Sequence, residues 1–224
     1  MTGNNRGAWQ TWRDYPGKSP VRNFLFQVHF WVGALIGAYV FVMSVSGSMI
    51  VYRDKLFEMG LSVERIVDLH ENLLTGSTGR AANGIGAICL TLLCLTGAAI
   101  WWPGIAHWRR SLSVEWRASF ARINWDLHSA AGFWWFPFVL MWAVSGIFLV
   151  FQDQFVVSVF LDPAGRVAPW LTELHFGRFN WFTEAVWVPL GLIPAILAFT
   201  GVFICCRRVI FKKPSNPNQT ANSS

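Results

Sequence analysis

Four long stretches of this sequence contain no Asp, Glu, Lys or Arg: 23–52, 81–108, 127–152 and 185–206. Only 13% of the 224 residues are charged, and 54% are hydrophobic. A soluble domain carries about a quarter charged residues, so a water-soluble globular chain is excluded. The windows are 30, 28, 26 and 22 residues long, and about 20 apolar residues cross a bilayer. The sequence therefore predicts an all-α membrane protein with four transmembrane helices. Pro137, Pro189 and Pro194 lie inside these runs, which membrane bundles tolerate when neighbours satisfy the freed backbone groups.

Other absences narrow the function. No CxxCH occurs, so covalent c-type haem attachment is excluded. No GxGxxG fingerprint occurs, so no dinucleotide-binding domain of that type is encoded. The four cysteines, Cys89, Cys94, Cys205 and Cys206, include no CxxC and fall within the second and fourth runs. They read as small packing residues. No carboxylate lies inside a run, which argues against a transporter coupled to protons or cations.

The net charge of +6 is accounted for by topology, with no nucleic acid implied. Twelve of the 18 Lys and Arg residues lie in the N-terminal segment, the middle loop and the tail. The loops 53–80 and 153–184 hold the other six: Arg53, Lys55, Arg65, Arg80, Arg166 and Arg178. The positive-inside rule then places both termini in the cytoplasm and those two loops outside. The first 22 residues lack an apolar h-region, so the first helix reads as an uncleaved signal anchor. Tryptophans near span ends (Trp31, Trp101, Trp102, Trp125, Trp181, Trp187) suit interfacial belts in contact with lipid.

What is present is a repeat. VHFWVG at 28–33 and LHSAAG at 127–132 share His-x3-Gly at an offset of 99. At the same offset Val45-Ser46-Gly47 falls on Val144-Ser145-Gly146, and Asp54 on Asp153. Leu69-His70 matches Leu174-His175 at 105, and Thr96-Gly97 matches Thr200-Gly201 at 104. The organisation is thus a cytoplasmic segment (1–22), a first hairpin (23–103), a cytoplasmic loop (104–126), a second hairpin (127–206) and a polar tail (207–224). Each half holds two helices and enters the membrane in the same direction, so the hairpins form a parallel repeat about an axis along the membrane normal.

Such an axis sets His29 opposite His128 near the cytoplasmic side, and His70 opposite His175 near the outer side. From His29 to Gly47, and from His128 to Gly146, is 18 residues, which is five turns or about 27 Å. Gly33 and Gly132 lie on the same helix face as their histidines. Gly97 and Gly201 fall at the depth of the inner pair, so small residues accompany each pair.

A lone buried histidine is most simply a hydrogen-bonded helix contact, and Ser-Gly or Thr-Gly pairs are ordinary helix-packing residues. Two symmetry-related histidine pairs with glycine clearance are instead what two bis-histidine b-type haems require, each iron ligated from both sides. Arg178, Arg80 and Arg22 are candidates for haem propionates, Arg178 first because it follows His175 closely. His107 has no counterpart in the second half and reads as interfacial. Asp54 and Asp153 read as solvated helix ends.

The order LH-x3-G, SG or TG, LH, TG, given twice (the first histidine reads VH), resembles the PepSY-associated transmembrane helix family. That family includes iron-regulated inner-membrane proteins and di-haem ferric-siderophore reductases. The resemblance spans roughly 22–208 and implies His29, His70, His128 and His175 as haem-iron ligands. Many members carry an extracytoplasmic PepSY domain between the first two helices; here 53–80 has only 28 residues, too few for one. The resemblance implies a bacterial inner-membrane protein with electrons passing from quinol or a cytoplasmic donor to ferric iron, a ferric chelate or a partner redox protein outside. The alternative is a non-catalytic or electron-relay subunit of a larger membrane complex.

Overall fold

The structure, a computed structural model, describes residues 10–12, 15–101, 109, 112–152 and 167–210. His107 and Asp153 lie outside the described residues. All regular structure among the described residues is helical. In chain order the helices are α1 (Pro20–Ile50), α2 (Arg53–Glu58), α3 (Glu64–Asn72), α4 (Gly76–Trp101), α5 (Phe120–Phe151), α6 (Val167–Phe176), α7 (Trp181–Gly191) and α8 (Ile193–Ile210). Four spans are long and apolar enough to cross a membrane: α1, α4, α5 and the continuous stretch Trp181–Ile210 that joins α7 to α8.

Local chemistry explains the helix ends. Ser19 caps α1 by accepting from the Arg22 amide, and Pro20 follows at the first helical position, where its missing N–H costs nothing. Asn180 caps α7 in a reciprocal box with Thr183, which satisfies donors that would otherwise be orphaned. The spans overrun the charge-free windows: Arg22, Arg80 and Arg122 all lie within helices. Charged side chains are cheap in the first turns, where they reach the interface. Arg80 thus belongs to α4 and not to the preceding loop.

The fourth span is interrupted at Leu192, between Pro189 and Pro194. Ser44 of α1 repairs the break. Its hydroxyl donates to the Gly191 carbonyl and its oxygen accepts from the Ala195 amide at 2.9 Å. In hydrocarbon both backbone groups would otherwise be unsatisfied.

α1 and α5 each pack against both α4 and α8, so the four spans close into a ring. Small side chains dominate the interior: Ser44, Ser46, Ser48, Thr96, Ser145 and Thr200 are all buried. Large apolar side chains point outward, with Leu35 82% exposed. That inversion of a soluble core is what a bundle in lipid requires. Trp31, Trp125 and Trp181 are exposed, as belt residues would be. Trp101 and Trp187 are engaged within the bundle instead: Trp101 stacks on Phe133 at 4.1 Å, and Trp187 donates to the Leu174 carbonyl. The four cysteines are free thiols, part-buried except for exposed Cys206. Asp54, with its side chain 81% exposed, touches only Arg53 among the ion pairs of the described residues.

Outside the spans, α3 lies on α1 and α4, and α6 lies on α5. These two short helices carry His70 and His175. Neither histidine opens a membrane span; each is brought to the bundle on its own short helix.

Candidate functional site: two facing histidine pairs

His29 of α1 and His128 of α5 face one another with ring centres 6.4 Å apart and planes at 75°. His70 of α3 and His175 of α6 do the same at 6.5 Å and 60°. The four histidines therefore form two pairs, each drawing one member from each half of the chain.

Every ring is anchored the same way. His29 Nδ1 lies 3.1 Å from Thr96 Oγ1 and 3.1 Å from the Leu93 carbonyl. His128 Nδ1 lies 2.9 Å from Thr200 Oγ1. His70 Nδ1 lies 3.1 Å from Ser46 Oγ, and His175 Nδ1 lies 2.7 Å from Ser145 Oγ. Each hydroxyl hydrogen is already committed to a carbonyl one turn back in its own helix. Thr96 donates to Leu92, Thr200 to Ile196, Ser46 to Val42 and Ser145 to Met141, each at 2.7 Å. A hydroxyl has one hydrogen, so each oxygen faces its imidazole as an acceptor and Nδ1 must be the donor. The proton sits on Nδ1, and Nε2 keeps its lone pair. This is the tautomer of a metal-ligating histidine whose other nitrogen is fixed by an outer partner.

None of the four Nε2 atoms makes a hydrogen bond among the described residues. Burial pushes the His70 imidazole down to about 4 and that of His175 to about 3, the latter also through His70 opposite. Both are neutral at physiological pH. In length, the ring-centre separations match one metal ion between two imidazoles: two metal–imidazole bonds of about 2 Å plus a ring radius of roughly 1 Å on each side come to about 6 Å. No third His, Cys, Asp or Glu joins either pair among the described residues. An ion held there needs its remaining ligands from elsewhere.

The glycines clear the imidazoles. A Cβ on Gly97 would lie 3.1 Å from His29 Cε1, and one on Gly201 3.1 Å from His128 Cε1. At the other end a Cβ on Gly47 would lie 2.8 Å from His70 Cε1, and one on Gly146 3.8 Å from His175 Cε1. Gly33 and Gly132 lie against Leu93 and Leu197 at ordinary contact distance. The space expected for a wide group is thus partly taken by the rings themselves. A cavity of about 350 Å³ remains at the His70–His175 end, lined by both histidines, Gly47, Gly146, Arg80 and Trp142.

His70 and His175 are also held by their backbone, through different residues. Asn83 of α4 donates from Nδ2 to the His70 carbonyl at 2.7 Å and accepts from the Tyr39 hydroxyl at 2.5 Å. Trp142 of α5 donates to the His175 carbonyl at 3.0 Å. Spacing did not single these residues out, because they differ between the halves: Trp187 stands where Asn83 stands, and Phe138 where Tyr39 stands. Ser46, Ser145, Thr96 and Thr200 were visible in the repeat, but as small residues and not as acceptors for Nδ1.

The arginines separate. Arg80 donates to the Leu149 carbonyl at 2.7 Å and lines the cavity. Arg178 lies over the Phe176 ring, its Nη2 buried without a hydrogen-bond partner. Arg22 donates from Nη2 to the Ile100 carbonyl at 3.0 Å, while its Nε is buried without one.

The sequence family described as the PepSY-associated TM region matches residues 58–164, which take in α3, α4 and α5 with His70 and His128. An uncharacterized protein of Pseudomonas aeruginosa, PA4219, is 30% identical over 88 residues, covering 38% of this chain and 21% of that protein. The chain thus matches about a fifth of its relative's length. No solved structure matches the chain. Residues 58–164 of this multi-pass membrane protein are thus similar to the PepSY-associated TM region family.

Proposed function

We propose that each histidine pair holds one b-type haem, and that the protein is a di-haem membrane cytochrome carrying electrons across the bilayer. The observation that carries this reading is the combination of tautomer and spacing: four imidazoles whose Nε2 is left unbonded, in two pairs with ring centres 6.4 and 6.5 Å apart. A metal held by such a pair would have two protein ligands among the described residues, and a porphyrin would complete its coordination. Iron bound in this way supplies reversible one-electron chemistry.

The chain's own residues do the remainder. Thr96, Thr200, Ser46 and Ser145 hold each imidazole in one tautomer and orientation, and a hydrogen bond to Nδ1–H raises the basicity of Nε2. His29 with His128, and His70 with His175, would hold one haem each, and the bound haems would supply one-electron transfer to an acceptor at the protein surface. Arg178, Arg80 and Arg22 supply guanidinium groups suited to carboxylates.

The distribution of Lys and Arg favours the His29–His128 end facing the cytoplasm of a bacterial inner membrane, with the His70–His175 end outside. On that orientation electrons enter from quinol or a cytoplasmic donor and leave to ferric iron or a ferric chelate. The short match to a longer relative favours one second reading, an electron-relay subunit of a larger redox complex. Absorption spectra and haem-to-protein ratio of the purified chain test the first reading. Two low-spin, acid-extractable b haems per chain are expected, and a folded, stable apoprotein from haem-replete cells would sink it. Reduction of ferric chelates by the chain alone separates the reductase from the relay.

A further inference from the structure

The repeat is kept in the histidines, glycines and hydroxyls and broken in the cations. Position 121, the counterpart of Arg22 at an offset of 99, is Ala121, and position 205, the counterpart of Trp101 at 104, is Cys205. An iron and its two imidazoles are compatible with twofold symmetry. A b-type porphyrin is not, because its two carboxylates lie on one edge. Residues that read that edge have no reason to recur in both halves.

Two donors at the His29–His128 end have nothing to bond. Arg22 Nε and Trp101 Nε1 are both buried without a hydrogen-bond partner. The backbone links them: Arg22 Nη2 donates to the carbonyl of Ile100, the residue before Trp101. This stretch adjoins the histidine pair from both sides. Trp101 follows Gly97, which lies against His29, by one helical turn, and its ring stacks on Phe133, next to Gly132 in the helix that carries His128. A buried unsatisfied donor costs about 1–3 kcal/mol, and two together, one of them cationic, call for an anionic acceptor. Among the described residues the ion pairs leave Arg22 without a carboxylate, and Asp126 is engaged by Arg122.

We infer that Arg22 and Trp101 form a carboxylate-binding corner that takes an acidic substituent of the cofactor seated between His29 and His128. The inference rests on the di-haem reading. A phosphate of an anionic lipid offers related oxyanion chemistry at the same membrane face, so the test separates the two sources.

The full chain is reconstituted with protohaem and, separately, with its dimethyl ester, in which both carboxylates are capped. Release is followed for the spectral and redox component that His29→Ala removes. Trp101→Phe keeps the stacking on Phe133 and deletes only the N–H; Arg22→Gln removes the charge. Arg208→Gln, at a cation lying over Phe26 and Phe30, is the control. Each of the two variants should speed loss of protohaem about tenfold, leave loss of the ester unchanged, and lower the midpoint potential of that component only. Equal acceleration for both haems, no acceleration, or a loss of bound phosphatidylglycerol with haem release unaltered would overturn the inference while leaving the di-haem reading intact. A wild-type chain that takes up no haem at all overturns both.

Discussion

His128 and Thr200 are joined by a hydrogen bond of 2.9 Å whose direction is set elsewhere: the Thr200 hydroxyl is spent on the Ile196 carbonyl at 2.7 Å, so the imidazole must donate. A threonine one residue before a glycine thereby decides which nitrogen of a histidine on another helix carries the proton. Replacing Thr200 by Val keeps shape and removes the acceptor. Loss of an outer partner to a metal-ligating histidine costs about 10- to 100-fold in affinity. Thr200→Val should weaken haem retention at the His29–His128 site by that order, with Ser145→Ala doing the same at the other site. Haem content after gel filtration reads the effect; equal loss from both sites in either variant would remove the assignment.

Ligands to one iron act as a unit. His29→Ala and His128→Ala should erase the same redox component, and the double variant should add little. His29→Ala combined with His70→Ala should remove both components, each as in its own single variant. A redox titration in which His29→Ala and His70→Ala erase the same component would break the pairing.

Gly47 and Gly146 occupy equivalent repeat positions with unequal space. A methyl at Gly47 meets His70 at 2.8 Å, and one at Gly146 meets His175 at 3.8 Å. Gly47→Ala should therefore displace His70 and shift the potential or lower the occupancy of that site, while Gly146→Ala and Gly33→Ala stay close to wild type. A wild-type spectrum and potential for Gly47→Ala would show that the ring has room to move.

Ser44 stands between two backbone groups of the interrupted fourth span. Ser44→Ala leaves the Gly191 carbonyl and the Ala195 amide unsatisfied, a loss of about 1–3 kcal/mol. The variant should unfold at lower temperature in detergent, while haem spectra below the transition remain unchanged.

Topology is tested by reporters. The proposed orientation, both termini cytoplasmic, predicts that a fusion at residue 220 is active only in the cytoplasm and that cysteines introduced at 58 or 184 react with impermeant reagents from outside. The opposite pattern would exchange donor and acceptor ends.

The amino-acid sequence by itself determined the four spans, because charge exclusion over 20 or more residues is a local property that only a membrane explains. It also named the four histidines and their accompanying glycines, since a repeat preserves what both halves need. Tertiary structure decided the rest. That His70 and His175 ride on short helices beside the bundle, and not at the start of a span, depends on how α3 and α6 pack. That Gly47 and Gly97 clear an imidazole of their own hairpin depends on distances between helices, which spacing along one helix does not contain. The hydroxyls of Thr96, Thr200, Ser46 and Ser145 look like packing residues in sequence; only their placement against Nδ1 turns them into the groups that set the tautomer. Arg22 and Trp101 are 79 residues apart, outside the repeat and without a shared motif. Arg22 reaches the Ile100 carbonyl, beside Trp101, because α1 and α4 pack side by side, which no pattern along the chain could state.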